Sequence, residues 1–522
     1  MPQELLAALV TARNKALLAI AALAFSGLVQ GLVFPPLNYY WLAPWALAPG
    51  FYVLSRLHGR RAFLGGWLMG ILANLALFYW IAETVMRFAE VSFALGLVAL
   101  LLFALFAGLY LGVFGWGLGY LRAVSGAAWP FAAAAWFVTC EFLNPQLFPY
   151  YQGAAFYAVP ELFLVSSVTG IPGVSFQIVL WNLILVAAAE QIQGTRGMSG
   201  RAWVASGLGA ALMLGSSTGI SAWQENRVEA AEERAPVLRM AIVQPSLDIL
   251  AARTLGPSGM AERHVEQSRR ALSADPAIDV FLWPETALRS APADPANSAV
   301  FDFVGESARE VWTGARTLEQ VEGKEKYFNA AYLFHRDGSI GKRYDKVRPL
   351  MFGEYVPFED HLPILRRLPG VGNFAAGDDL VQLDSETPAV ASFLICYEAI
   401  LREFVRSRLP EHTNLIANIT NDSWFGNTSC ASQHLMLAAT RSAELGIPMA
   451  RAATTGISAF IDARGVITQQ SPLYTQETLT EDVRLVRVPS LYSMAGDWFL
   501  WLAMLVSLPL LLRGFIRARS SS

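Results

Sequence analysis

The first 220 residues alternate long apolar runs with short polar breaks, residues from about 237 to 490 carry charged side chains throughout, and a last apolar run precedes a basic tail. A helix crossing a bilayer needs roughly 20 apolar residues. Seven runs qualify before the polar region, at about 17–34, 39–57, 62–82, 91–120, 125–143, 162–189 and 203–220, and one follows it at about 497–512. Pro130 and Glu141 bracket the fifth, and "FPYYQGAAFYAVP" (148–160) reads as an interfacial or re-entrant piece. Gly66/Gly70 and Gly115/Gly119 have the small-residue spacing of closely packed membrane helices. The pattern predicts a multi-span α-helical membrane bundle of about eight helices with an inserted α/β domain. Its expected divisions are a bundle (1–220), a linker (221–236), the insert (237–490) and a closing helix with its tail (491–522).

Charge orients the spans. With the N-terminus in the cytoplasm, the inner loops hold Arg13, Lys15, Arg56, Arg60, Arg61, Arg122, Arg196, Arg201, Arg513, Arg517 and Arg519, and the short outer loops hold Arg87. That asymmetry is the positive-inside pattern, and seven spans then put the insert on the outer face. Arg13 and Lys15 ahead of an apolar stretch resemble a secretory signal. The run is long and another span follows at once, so it reads as an uncleaved anchor.

Inside the insert, 240–246, 279–285, 330–334, 389–398, 414–422 and 458–465 read as strands, and 260–272 and 431–446 as amphipathic helices. Three segments carry reactive groups: "FLWPETA" ends a strand with Glu285, "KRYDKVRPLMFGEYVPF" holds Lys346 and Glu354, and "FLICYE" ends a strand with Cys396. Strand ends converge at a sheet edge, where α/β folds place their sites. Each group also has a plain reading. Glu285 can cap a turn, Lys346 can be solvated, and Cys396 can be a small buried hydrophobe or pair with Cys430.

Composition narrows the classes. At 54% hydrophobic and 16% charged the chain suits a membrane, and a net charge of −3 gives no footprint for nucleic acid. Three cysteines without CxxC spacing, and six histidines without HExxH, predict neither a disulfide scaffold nor a metal site. "GSSTG" (215–219) matches G-x-S-x-G but lies in an apolar helix rather than at a strand-to-helix elbow. His434 reads as a helix-surface or hydrogen-bonded histidine.

The order "WPET", "YDK…FGEYVPF", "CYE", "NDSWFG" resembles the nitrilase, or carbon–nitrogen hydrolase, superfamily, whose domain is an α-β-β-α sandwich. With a bundle before it and one helix after it, the whole chain resembles the bacterial apolipoprotein N-acyltransferase family. That resemblance implies Glu285 as general base, Lys346 as oxyanion-stabilising amine, Cys396 as nucleophile and Glu354 as supporting carboxylate. Tyr397 and Glu398 match the family's "CYE", and Trp424 sits in a loop expected to line the site. Two departures stand out: Cys430-Ala431 replaces the family's usual Gly-Pro, and 148–160 is a loose version of its outer segment.

The resemblance also implies a phospholipid acyl donor, a diacylated apolipoprotein acceptor, ping-pong kinetics through a thioester, no cofactor, a monomer, and residence in the inner membrane with the insert periplasmic and both termini cytoplasmic. The apolar stretch 361–374 is a candidate lid. Two other readings stay open: a membrane-anchored amidase or nitrile hydrolase using water as acceptor, and a transporter or scaffold with a binding insert.

Overall fold

The computed structural model describes residues 2–194, 200–321, 323–357, 361 and 372–520; most of the expected lid, residues 362–371, lies outside them. Packing divides the chain into two units, Met1–Ala82 with Leu97–Ser221 and Asp497–Ser522, and Glu83–Gly96 with Ala222–Gly496.

The first unit is helical. Its main elements are α1 (Pro2–Leu28), α2 (Gly59–Leu77), α3 (Phe93–Ala107), α4 (Leu109–Ser125), α5 (Trp129–Leu143), α6 (Ile171–Ile192), the start of α7 (Gly200–Glu232) and the closing helix Trp498–Ser520. Helices α2 and α4 approach closely because glycines line the contact. A Cβ on Gly66 would collide with the Leu111 carbonyl, one on Gly70 with Gly108 backbone, and one on Gly115 with the Ala62 carbonyl. Phe51, Phe114 and Phe137 form an aromatic core, with centroids 4.9 Å (51–114), 5.3 Å (114–137) and 6.1 Å (51–137) apart.

Among the described residues, four stretches are long and apolar enough to cross a membrane: Arg13–Val33, Phe93–Leu143, Ile171–Ile192 and Trp498–Ser520. A fifth arises if Gly59–Leu77 and Trp80–Ala89, bent by 60°, form one span. That measure does not confirm the expected eight: it takes α3, α4 and α5 as one stretch, and other runs are broken locally. Run 39–57 breaks into Tyr40–Leu42, Ala43–Ala46 and Ala48–Leu54, with Pro44 and Pro49 opening the later pieces. Run 162–189 becomes two short turns and α6, divided by Gly170 at φ +66°. Arg122, expected in a loop, is buried in α4 and pairs with Glu190 at 2.7 Å. Most of the expected linker 221–236 is helical, since α7 runs to Glu232. The 148–160 segment contains a buried 3₁₀ turn, Gln152–Phe156.

The second unit contains two sheets. The strands are β1 (Val237–Gln244), β2 (Val280–Leu282), β3 (Glu310–Val321), β4 (Lys324–Phe334), β5 (Tyr344–Asp345), β6 (Phe374–Ala375), β7 (Ala391–Ile395), β8 (Leu415–Thr420), β9 (Met449–Ala453), β10 (Ala459–Ile461), β11 (Ile467–Gln470) and β12 (Glu477–Arg484). One sheet runs β12-β1-β2-β3-β4-β5 with β6 beside β4, and the other runs β11-β10-β9-β8-β7. β1, β2 and β3 are mutually parallel, as are β7, β8 and β9. Strands β1, β2, β7, β8 and β9 are almost wholly buried, as strands covered on both faces must be, whereas β3 is exposed from Leu318 onward.

Trp312 on β3 meets Phe393 on β7 at 6.5 Å between centroids, joining the sheets. Helices α8 (Ile249–Ala274) and α9 (Ser298–Ser307) close the first sheet's other side, burying Val265 and Phe303 against Phe281 and Val311. Helix α10 (Cys430–Leu445) packs Ala439 and Ala443 against the turn at Gly465 after β10. The layout brings the carboxyl ends of β2, β7 and β8 to one region.

Candidate active site

The segment Trp283-Pro284-Glu285 leaves β2 along β3, so close that a Cβ on Gly314 would lie 2.7 Å from the Glu285 Cα. Only glycine fits there. Glu285 is buried; its Oε1 accepts from Asn329 Nδ2 at 2.5 Å and its Oε2 from the Asn421 backbone N–H at 2.7 Å. Asn329 lies on β4, and its carbonyl accepts the Lys346 N–H at 2.9 Å, fixing the chain just after β5. Lys346 Nζ then stands 2.7 Å from Glu354 Oε2 and 3.8 Å from Glu285 Oε1. Glu354 is held in turn by Asn329 Nδ2 at 2.9 Å and the Leu350 N–H at 2.7 Å. Two carboxylates thus share one ammonium and one amide.

Cys396 follows β7 and opens a 3₁₀ turn, Cys396–Ile400, with φ +53°. A side chain with a Cβ is strained in that region, and such strain gathers at functional sites. Burial pushes the thiol pKa well up; Glu285 adds to the rise and Lys346 opposes it. Burial likewise raises Glu285, against the pull of Lys346 and with the push of Glu354. For Lys346, burial alone would favour the neutral amine. Glu354, Glu285 and Cys396 outweigh it and hold the ammonium above the ordinary lysine value. The resting state is therefore a protonated thiol near a carboxylate whose proton affinity is raised, a pairing suited to proton transfer.

The remaining expected residues divide. Glu398 is buried, and its oxygens accept from Tyr344 Oη at 2.8 Å, the Val347 and Arg348 N–H groups at 2.7 and 3.0 Å, and the Ile395 N–H at 2.7 Å. It ties the chain after Lys346 to the strand end before Cys396. Burial pushes its carboxyl up to about 7. Trp424 lies in the turn Asp422–Phe425 after β8, with its ring centroid 4.8 Å from that of Phe88. Tyr397 is half-buried beside Cys396.

The sequence did not single out Asn329, Asp422 or Arg451. Asp422 accepts from Thr420 Oγ1 and Arg451 Nη2 at 3.1 Å each and faces His434 Nδ1 at 3.0 Å. Burial would raise Asp422, but His434 and Arg451 pull it down to about 2. His434, expected as a helix-surface or hydrogen-bonded histidine, is buried on α10 and hydrogen-bonded. The only available signal was "NDSW" directly after an apolar strand.

Two groupings among the described residues bring three donors within 4.8 Å: Cys396, Asp422 and His434, and Glu310, His335 and Glu386. In the first, Asp422 is engaged by Thr420 and Arg451 as well as His434. In the second, Glu310 accepts from Trp312 Nε1, Ser385 Oγ and the Glu386 N–H. Neither needs an ion to satisfy its carboxylate. All three cysteines are free thiols.

Residues 239–492 match the carbon-nitrogen hydrolase family, and residues 26–184 match the apolipoprotein N-acyltransferase N-terminal domain. An apolipoprotein N-acyltransferase of Geobacter metallireducens is 30% identical over 505 residues, 91% of this chain and 91% of that protein. One from Allorhizobium ampelinum is 32% identical over 483 residues, 87% and 86% of the two chains. A solved carbon-nitrogen hydrolase of Helicobacter pylori covers 48% of this chain and 89% of its own at 12% identity, with a TM-score of 0.38.

Proposed function

This chain belongs to the apolipoprotein N-acyltransferase family, and we propose that it moves an acyl chain from a phospholipid, through a thioester on Cys396, to the N-terminal amine of a diacylated lipoprotein. The observation that carries the site assignment is the convergence of Glu285, Asn329, Lys346 and Glu354 beside a strained Cys396.

The chemistry follows from those groups. A free thiol of pKa about 8.5 is mostly protonated at neutral pH, so its proton must leave as it attacks. Glu285, fixed by Asn329 and the Asn421 N–H, is the acceptor. As the thiolate adds to the ester carbonyl, negative charge grows on the carbonyl oxygen. Lys346, held charged by Glu354, stabilises that charge without having to reorganise. Glu285 returns the proton to the leaving lysophospholipid alkoxide. The incoming amine then attacks the thioester carbonyl, loses a proton to Glu285, and expels the Cys396 thiolate, which takes that proton back from Glu285. No nucleotide enters, because the donor is already an ester.

A bundle explains access to the donor. Moving a two-chain lipid into water exposes roughly 30 methylenes at about 0.8 kcal/mol each. In this reading about eight crossings carry the catalytic domain, residues 237–490, on the periplasmic face of the inner membrane, with both termini cytoplasmic and the protein monomeric.

The test is purified protein with phospholipid and a diacylated N-terminal cysteine peptide. Lysophospholipid and triacylated peptide in equal amounts, both lost in Cys396→Ala, support the reading. Free fatty acid with no acylated peptide would make it a hydrolase instead.

A further inference from the structure

We infer that His434 is a positioning residue for the nucleophile, clamping the Cys396 carbonyl and so fixing the peptide plane that follows the thiol. This rests on Cys396 being the nucleophile. His434 Nε2 lies 3.2 Å from the Cys396 carbonyl oxygen, and its Nδ1 lies 3.0 Å from Asp422 Oδ1. Asp422 is fixed from behind by Arg451 Nη2 at 3.1 Å, and Arg451 also reaches the Asn418 side chain. Asn418 Nδ2 donates to the Leu394 carbonyl at 2.8 Å, two residues before the thiol. The relay therefore starts and ends on the strand that presents Cys396, and its members are all buried.

The backbone at Cys396 gives the clamp a task. At φ +53° this turn costs free energy, and neighbouring contacts must hold it. Glu398 Oε2 holds the Ile395 N–H on one side, and His434 holds the Cys396 carbonyl on the other. Because the peptide is planar and trans, fixing that carbonyl toward His434 fixes the Tyr397 N–H in the opposite direction. A backbone N–H directly after a nucleophile is well placed to donate to the oxyanion, and Lys346 alone supplies only one such side chain.

Both atoms facing the imidazole are pure acceptors. A neutral ring donates to one of them and an imidazolium to both. Burial and Arg451 press His434 below the ordinary histidine value while Asp422 opposes them. What the clamp requires is a donor at the Nε2 position, and a glutamine amide can supply one at every pH.

The test compares two substitutions of similar volume in the full-length protein, His434→Gln, which can donate, and His434→Met, which cannot. Pre-steady-state release of lysophospholipid reads the acylation step. His434→Met should lower kcat by about 100-fold, the range lost with one oxyanion donor, with KM for phospholipid unchanged. His434→Gln should stay within about threefold of wild type, since the donor is kept. Both variants at the wild-type rate would overturn the inference, as would equal loss in both. Cys396→Ala run alongside separates the premises. If it stays active, the nucleophile assignment fails. If it is inactive while His434→Met is normal, only the clamp fails.

Discussion

Removing the second carboxylate, Glu354→Gln, probes the charge arrangement most sharply. Asn329 Nδ2 touches Glu285 at 2.5 Å and Glu354 at 2.9 Å, and Lys346 Nζ lies between them at 3.8 and 2.7 Å. The carboxylates are thus about 5 Å apart, which at an effective dielectric of about 20 is a repulsion of about 3 kcal/mol. Neutralising Glu354 removes that repulsion and frees Lys346 to move onto Glu285, so the Glu285 pKa should fall. The base works when ionised. Its acid limb in the pH profile of kcat/KM should therefore move to lower pH, while the plateau drops about tenfold because the carboxylate has become a weaker base. Lysophospholipid release measured from pH 4 to 9 reads both effects. A limb that stays in place, or moves to higher pH, would refute the electrostatic account. A lower plateau with an unmoved limb would mean that Glu354 only orients Lys346.

Other perturbations separate chemistry from scaffold. Lys346→Met should lower kcat by about 10²- to 10³-fold with KM little changed, since the ammonium acts on charge that develops in the transition state; a comparable rise in KM would make it a binding residue. Glu398→Ala should cost about 3 kcal/mol or more, because it strands several buried donors, and thermal unfolding in detergent would show it. Folded Glu398 holds its proton up to about 7, against 4.5 for an unperturbed glutamate. Its contribution to stability is therefore fully present below 4.5 and lost as pH rises through 7, and Glu398→Gln should flatten that part of the melting curve's pH dependence. Gly70→Val should cost on the order of 1–3 kcal/mol by forcing α2 off Gly108, read as lost folded yield.

Much of the catalytic unit was legible in sequence for a physical reason. Runs such as 279–285 and 389–398 are buried on both faces, so they show as unbroken apolar stretches ending at Glu285 and Cys396. Strand β12, "ETLTEDVR", was not legible. It pairs antiparallel with β1 across more than two hundred residues at a largely exposed edge, and its polarity hides it. In the helical unit, hydropathy found apolar runs but not their breaks: Pro44, Pro49 and Gly170 divide runs that composition reads as continuous. The relay of Asp422, His434 and Arg451 was invisible because a turn, a helix and a strand bring it together, and neither periodicity nor motif spacing records that meeting.

The measurement that tests the central claim most directly is the intact mass of the detergent-purified protein after incubation with phospholipid, with the adduct mapped by proteolysis. The account predicts a gain of one acyl chain on Cys396, released by hydroxylamine and discharged by a diacylated peptide. An unmodified Cys396 throughout turnover, while lysophospholipid and triacylated peptide accumulate, would contradict it.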